Sequence, residues 1–347
     1  MQTQTGKAVT IWLLIVCGLV MVMVVVGGYV RLTRSGLSIV EWNPVSGVIP
    51  PIGEQAWQAE FAKYQQTPEF EIVNSTMTLA GYKRIFYLEW AHRLIARLVG
   101  LFVVLPLAYF LWRRIIPWRR SGVYLLIAAL YAFQGFLGWY MVSSGLVDAP
   151  HVSHYRLTIH LLTALALIAV TLWTALGRVY ERSGQRQPRW SGLGLGMLAI
   201  IVVQIAYGGL VAGLKAGKVS NTWPLMNGAL VPSGLLSSAG SWLVSALEAP
   251  MTVHFIHRWL AFVVLAIGLW LHLRPQMGRA GVVVRQIRAS AAGLVAIVLL
   301  QTLLGIGVVV FGVPIWLALL HQATALTMFV VAVYINHRLA WAAGRQR

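Results

Sequence analysis

Acidic side chains are scarce in this chain: nine Asp and Glu stand among 347 residues, against 27 Lys and Arg. Charge of either sign is sparse, at 10% of residues, while 59% are hydrophobic. An ordinary soluble domain carries about 25% charged residues, so that class is excluded. Cysteine is nearly missing. Cys17 stands alone, and no disulfide forms within the chain in any compartment. The strand-like alternation of a membrane barrel is absent too. No A-x-A cleavage site follows the first apolar run, which exceeds the about 7–15 apolar residues of a signal-peptide core. That run is read as a retained span.

What is there is a series of apolar runs, each about 20 residues long, the length that crosses a hydrocarbon core as a helix. Eight are counted, at approximately 9–30, 88–112, 122–142, 156–176, 192–213, 252–273, 289–311 and 315–337. The expected fold is an all-α, multi-pass membrane protein. The net charge of +18 invites a nucleic-acid reading, but its distribution argues against one. Arginines cluster in "RRIIPWRR" (113–120), in "GRVYERSGQRQPR" (177–189), at 274–288 and at the C-terminal end, which are alternate loops. The other loops hold Glu41, Glu54, Glu60, Glu69, Glu71, Glu89, Asp148 and Glu248, and only Glu181 lies among the arginines. Positive-inside bias then places both termini and the arginine loops in the cytoplasm, facing anionic lipid.

The chain repeats. "GGYVRLTRSGLSIVEWNP" (27–44) aligns with "GGLVAGLKAGKVSNTWP" (208–224) at a constant offset, matching Gly27, Gly28, Gly36 and Trp42 to Gly208, Gly209, Gly217 and Trp223. "AHRLIA" (91–96) resembles "IHRWLA" (256–261), "QGFLG" (134–138) resembles "QTLLG" (301–305), and "IHLLTAL" (159–165) resembles "LHQATAL" (320–326). Four landmarks in the same order indicate two tandem four-helix bundles. An even number of spans per unit makes both face the same way, related by a pseudo-two-fold axis along the membrane normal. The expected division is an N-terminal half at 1–176, a cytoplasmic linker at 177–190 and a C-terminal half at 191–347.

Four of the nine histidines occupy repeat-equivalent positions: His92, His160, His257 and His321. Each lies a few residues inside the outer end of an even-numbered span. A lone histidine there is usually an interfacial hydrogen-bonding residue. Four at matched depth, paired by a repeat, are another matter, because ionisable groups within spans are costly and mark function. Two imidazoles facing across a bundle suit the axial positions of a haem iron. Zinc or copper would want further ligands nearby; His254, one turn from His257, keeps a metal open. Arg93 and Arg258 directly follow their histidines, with Arg97 and Arg156 near. Guanidinium grips a carboxylate through two hydrogen bonds and would suit haem propionates; the alternative is snorkelling to lipid phosphate.

The repeat is broken at one informative place. Glu89 precedes His92 by three residues, and His254 precedes His257 by three, a spacing that shares one helix face. Only the first half puts a carboxylate beside its histidine, a candidate for acid–base work or for stabilising a cationic intermediate. The structural alternative is an ion pair with Arg93 or Arg84. The first external loop, roughly 31–86, is also the longest. Trp57, Phe61 and Tyr64 recur there at helical spacing, predicting an amphipathic helix on the membrane surface. His151 and His154 stay open between propionate, metal and no ligand, and His272 and His337 are expected to be interfacial.

Taken together, "EWNPVSGVIPP", "EFEIVNSTMTLAGYKRIFYLEWAHR", "VDAPHVSHYRLTIHL", "HFIHRWLA" and "LALLHQATAL" resemble the haem A synthase family over essentially the whole chain. The match is to the proteobacterial and mitochondrial branch. Some members carry cysteine pairs in external loops; this chain has none. The resemblance implies an oxidoreductase of the bacterial inner membrane. It oxidises the C8 methyl group of haem O to a formyl group through two hydroxylations and loss of water from a gem-diol, giving haem A for cytochrome c oxidase. It implies haem O as substrate in the N-terminal half, with His92 and His160 as axial candidates and Glu89 as the essential carboxylate. It places a haem B cofactor in the C-terminal half on His257 and His321. The protohaem farnesyltransferase that makes haem O, and further copies of this chain in a homo-oligomer, are the implied partners. A di-haem electron carrier would leave the Glu89/His254 difference unexplained. A tandem-repeat transporter would place its polar groups at mid-membrane rather than at the outer margin.

Overall fold

A backbone inside hydrocarbon must satisfy its own N–H and C=O groups, so each apolar run closes into a helix. The computed structural model describes residues 4–147, 150–180, 192–235, 241–273 and 282–343. Among these it is all-α. The helices are α1 (Gln4–Leu32), α2 (Glu54–Gln65), α3 (Pro68–Val73), α4 (Leu79–Trp112), α5 (Gly122–Ser143), α6 (His154–Tyr180), α7 (Gly192–Gly213), α8 (Trp242–Glu248), α9 (Pro250–Leu273), α10 (Val282–Val310) and α11 (Ile315–Ala343). Eight of them, α1, α4–α7 and α9–α11, are long and apolar enough to cross a membrane. They match the eight expected spans. Residues 177–180 of the expected linker complete α6, and 181–190 lie outside the described residues.

The chain forms two compact units, Met1–Leu167 and Ile168–Arg347. In the first, α4 is the central element, with α1, α5 and α2 packed along it. Pro106 sits inside α4 and cannot donate to the carbonyl four residues earlier. That carbonyl, on Phe102, instead accepts from Nε1 of Trp12 on α1 at 3.0 Å, so the group freed by the proline is satisfied across the helix pair. In the second unit, α7, α9, α10 and α11 close a ring in which each helix packs along two others. Asn336 of α11 donates from Nδ2 to the Gly194 carbonyl of α7 at 2.9 Å.

α4 begins at Leu79, well before its apolar run. Thr78 caps it, accepting from the Gly81 N–H at 3.3 Å. The extra turns receive α2. The predicted amphipathic helix over Trp57, Phe61 and Tyr64 is present, but its apolar face is not free for lipid. Trp57 and Tyr64 are buried against Tyr82 and Phe86 of α4, with Trp57 edge-on to Phe86 at 5.0 Å and Tyr64 stacked on Tyr82 at 5.0 Å. The physical reason is that α4 offers an aromatic ridge at the same height, and aromatic pairs gain beyond their buried area.

The repeat is visible in the backbone. α1 and α7 both end just before a residue in the left-handed region, Arg34 and Lys215, each with φ 54°. At Arg34 the helix closes with the Ser35 N–H on the Val30 carbonyl at 2.9 Å, the pattern of a Schellman cap.

Candidate functional site

The four repeat-equivalent histidines fall on α4, α6, α9 and α11. His160, His257 and His321 lie about two turns into their helices, and His92 about three and a half. His92 differs because α4 starts in the cap rather than at the apolar run. The His257 and His321 rings lie 6.4 Å apart, centre to centre, with their planes at 77°. Two metal–imidazole bonds of about 2 Å, plus the reach from nitrogen to ring centre on each side, come to roughly 6 Å. The pair therefore has the separation that two axial ligands of one iron require. In the first unit His92 faces Gly27 of α1 and His160 faces Gly138 of α5. Nδ1 of His92, of His160 and of His321 is buried without a hydrogen-bond partner. Buried polar atoms are normally paired, so these rings suit a further group. Among the described residues no set of three or more His, Cys, Asp or Glu is placed to hold a bare metal ion.

Three of the four histidines are flanked by a glutamine of the preceding span. Gln134 donates to the His160 carbonyl at 3.3 Å, Gln204 to the His257 carbonyl at 3.1 Å, and Gln301 Nε2 lies 3.2 Å from His321 Nε2. In all three a glycine follows the glutamine by four residues: Gly138, Gly208 and Gly305. A spacing of four places both on one face, so a Gln-x-x-x-Gly element abuts three of the four histidines. Two of these segments are repeat landmarks in the sequence; the third, "QIAYG" (204–208), lies largely outside the aligned stretches and carries no signal of its own. In α1 the equivalent residue is Met23, before Gly27.

Glu89 is 2% exposed. Its Oε2 accepts from the Ser38 N–H at 2.8 Å, the Ser38 hydroxyl at 2.7 Å and the Ile39 N–H at 2.9 Å. Its Oε1 pairs with Arg93 at 2.6 Å. Arg93 also donates to the Ile39 and Glu41 carbonyls, each at 3.2 Å, and lies over the Trp42 ring at 4.9 Å. The second unit repeats this scheme with different chemistry. Arg258 donates to the Thr222 carbonyl at 2.8 Å, lies over Trp223 at 5.5 Å, and contacts Nε2 of buried His254 at 3.2 Å. At the position of Ser38 stands Val219, so the carboxylate and the hydroxyl that donates to it are both absent from the second half. Ser38 was not singled out from sequence: its contact with Glu89 spans 51 residues and has no local pattern.

The remaining arginines separate by occupancy. Arg97 donates from Nε to the Pro44 carbonyl and from Nη2 to the Asn43 carbonyl, both at 2.9 Å. Its Nη1 is buried with no partner, as is Nη1 of Arg258. Arg156 is held by Tyr140, donating to its carbonyl at 2.7 Å and lying over its ring at 3.8 Å. His151 is exposed and His154 opens α6. His272 is exposed. His337, expected at an interface, is instead fully buried, with the Trp173 ring 4.9 Å away; the neighbouring aromatic side chains cover it.

Fold and site together define a multi-pass, all-α membrane protein with two histidine-bearing helical units. The sequence profile of the cytochrome oxidase assembly protein family matches residues 10–333, and the chain belongs to that family. It is 46% identical over 330 residues to a protein of Sphingopyxis alaskensis named heme A synthase, covering 94% of this chain and 91% of that one. Proteins of the same name from Paramagnetospirillum magneticum and Caulobacter vibrioides are each 43% identical. They cover 96% and 98% of this chain, and 94% and 98% of their own lengths.

Proposed function

We propose that this chain is a haem A synthase, an oxidoreductase that converts a ring methyl of haem O to a formyl group. The observation that carries the reading is the His257/His321 pair, whose ring centres lie 6.4 Å apart within one closed bundle. Its repeat counterparts His92 and His160 occupy the corresponding positions of the first half. His257 and His321 would hold a resident haem B, which supplies one-electron redox chemistry. His92 and His160 would hold haem O, the substrate. Oxidising methyl to formyl adds one oxygen and removes four electrons and four protons when water is the oxygen source, so protons must leave beside the substrate. Among the described residues Glu89 is the only carboxylate one turn from a candidate ligand histidine, and we assign it to that work. Arg93 is committed to Glu89 and to the loop at 39–41. Arg97 and Arg258, whose Nη1 atoms are buried without a partner, would therefore hold the propionate carboxylates.

The same reading places the chain in a bacterial inner membrane with both termini cytoplasmic and the histidines near the outer side, following the arginine distribution. The farnesyltransferase that makes haem O would deliver the substrate, anionic lipid would face the arginine loops, and copies of the chain would assemble as a homo-oligomer. The test is pigment extraction with mass analysis from cells expressing the chain beside a haem O source. Haem A with its hydroxylated precursor is expected. Haem B alone, with haem O left unconverted, overturns the proposal in favour of an electron carrier.

A further inference from the structure

Each candidate ligand histidine lies against one particular glycine of a neighbouring helix. A Cβ built on Gly305 of α10 would stand 3.0 Å from Cε1 of His321; on Gly208 of α7, 3.3 Å from Cε1 of His257. On Gly27 of α1 it would stand 3.4 Å from Cε1 of His92, and on Gly138 of α5, 3.7 Å from Cε1 of His160. The same ring carbon is nearest in all four cases. Each of these helices also carries a second glycine whose Cβ would meet nothing within 4 Å: Gly293, Gly196, Gly18 and Gly135 respectively. Close approach to an imidazole is therefore a property of these four positions and not of helical glycine in general.

A glycine inside a helix is less favourable than alanine, so four at repeat-matched places call for a cause. We propose that Gly27, Gly138, Gly208 and Gly305 are positioning residues for the four iron-ligating imidazoles. The bare backbone forms a flat seat that lets the ring edge lie on the neighbouring helix. Cε1 lies between the two ring nitrogens, so pushing on it turns both, and with them the direction in which a nitrogen lone pair points. In the second half both rings of the pair are seated against different helices, α7 and α10, which fixes the gap between them from both sides. Adding a methyl at Gly305 or Gly208 narrows or skews that gap, whereas Gly138 has room for one.

This inference rests on the haem reading above, and the experiment separates the two. Wild type and the alanine variants Gly305→Ala, Gly208→Ala, Gly293→Ala and Gly196→Ala are purified in detergent from haem-replete cells. Haem-to-protein ratio, the low-spin ferric resonance signal and the midpoint potential are measured. Gly293→Ala and Gly196→Ala are expected to match wild type. Gly305→Ala is expected to lose most of its haem or convert it to a high-spin, five-coordinate form. Gly208→Ala should retain haem with a shifted potential and altered ligand-field signal. In the first half, Gly27→Ala should weaken binding of added haem O more than Gly138→Ala does. If Gly305→Ala fails to give a monodisperse protein, the milder Gly208→Ala against Gly196→Ala decides. Seat variants indistinguishable from their same-helix controls overturn the inference while leaving the haem reading standing. A wild type that carries no haem overturns both.

Discussion

Glu89 brings a negative charge into a place where four donors are already aimed at it. An ionised carboxylate out of water is tolerated only when paired and hydrogen-bonded, and a hydrogen bond to a charged group contributes about 1.5–3 kcal/mol. With three donors on Oε2 and Arg93 on Oε1, the group is held in one orientation by the loop at 38–39. That tethering makes Glu89 both a joint of the fold and a candidate proton acceptor, and two substitutions separate the roles. Glu89→Gln keeps the shape but brings an amide N–H₂ against donors on one side. It is expected to abolish haem A formation while the resident haem spectrum stays as in wild type. Ser38→Ala removes one donor and leaves the carboxylate in place. Its expected effect is a partial loss of rate, with the product distribution moved towards the hydroxylated precursor, read from extracted pigments by mass. A Glu89→Gln enzyme producing haem A at the wild-type rate would remove Glu89 from the chemistry.

Two packed elements on the first unit carry predictions of their own. The indole of Trp12 donates to the carbonyl that Pro106 leaves free, so Trp12→Phe should lower stability by about 1–3 kcal/mol, the cost of an unsatisfied buried acceptor. Pro106→Ala restores the helix's own donor to that carbonyl, and the penalty for Trp12→Phe should shrink in that background. A double-mutant cycle on thermal unfolding in detergent reads the coupling; equal penalties in both backgrounds would show the bond to be idle. In the cap, burial, and then the Glu69 carboxylate, pushes the Tyr64 hydroxyl up to about 12, from an ordinary value of about 10. Because the neutral phenol is what the fold accepts, this contribution is complete below the ordinary value and is lost as pH rises towards 12. Alkaline difference absorbance of wild type minus Tyr64→Phe should therefore show one tyrosine titrating near 12. A difference centred on the ordinary tyrosine range would place the α2 face in water.

These elements also show what could be read without coordinates. The eight spans were legible because hydrocarbon imposes a length and a composition on each of them. The histidines were legible because a repeat marks equivalent positions even where single motifs are weak. The nine residues by which α4 outruns its apolar stretch were not, since "LAGYKRIFY" mixes polar and aromatic residues without a membrane signature. Nor was the burial of Trp57 and Tyr64: periodicity reveals an apolar face but not the surface that receives it. The glutamine–glycine element had a readable spacing, but its meaning depends on a histidine in another helix.

At the scale of the whole molecule, the two units repeat one scaffold with a small number of exchanged groups. Arg93 and Arg258 sit on Trp42 and Trp223 and hold equivalent loop carbonyls, so the frame around the histidines is common to both. The exchanges include Glu89 for His254, Ser38 for Val219 and Met23 for Gln204. If one half retains a cofactor and the other turns over a substrate, the four histidines should divide by half when removed. His257→Ala and His321→Ala are expected to strip the resident haem B, seen as loss of the pyridine haemochrome signal per mole of protein, and with it all haem A formation. His92→Ala and His160→Ala are expected to keep that signal at the wild-type level and still make no haem A, with haem O accumulating in the membrane. The division discriminates among models because an electron carrier with two equivalent haems would lose half of its pigment in every one of the four variants. If His92→Ala removes as much resident haem as His257→Ala does, the assignment of substrate and cofactor to separate halves is wrong, even though the ligand histidines themselves would stand.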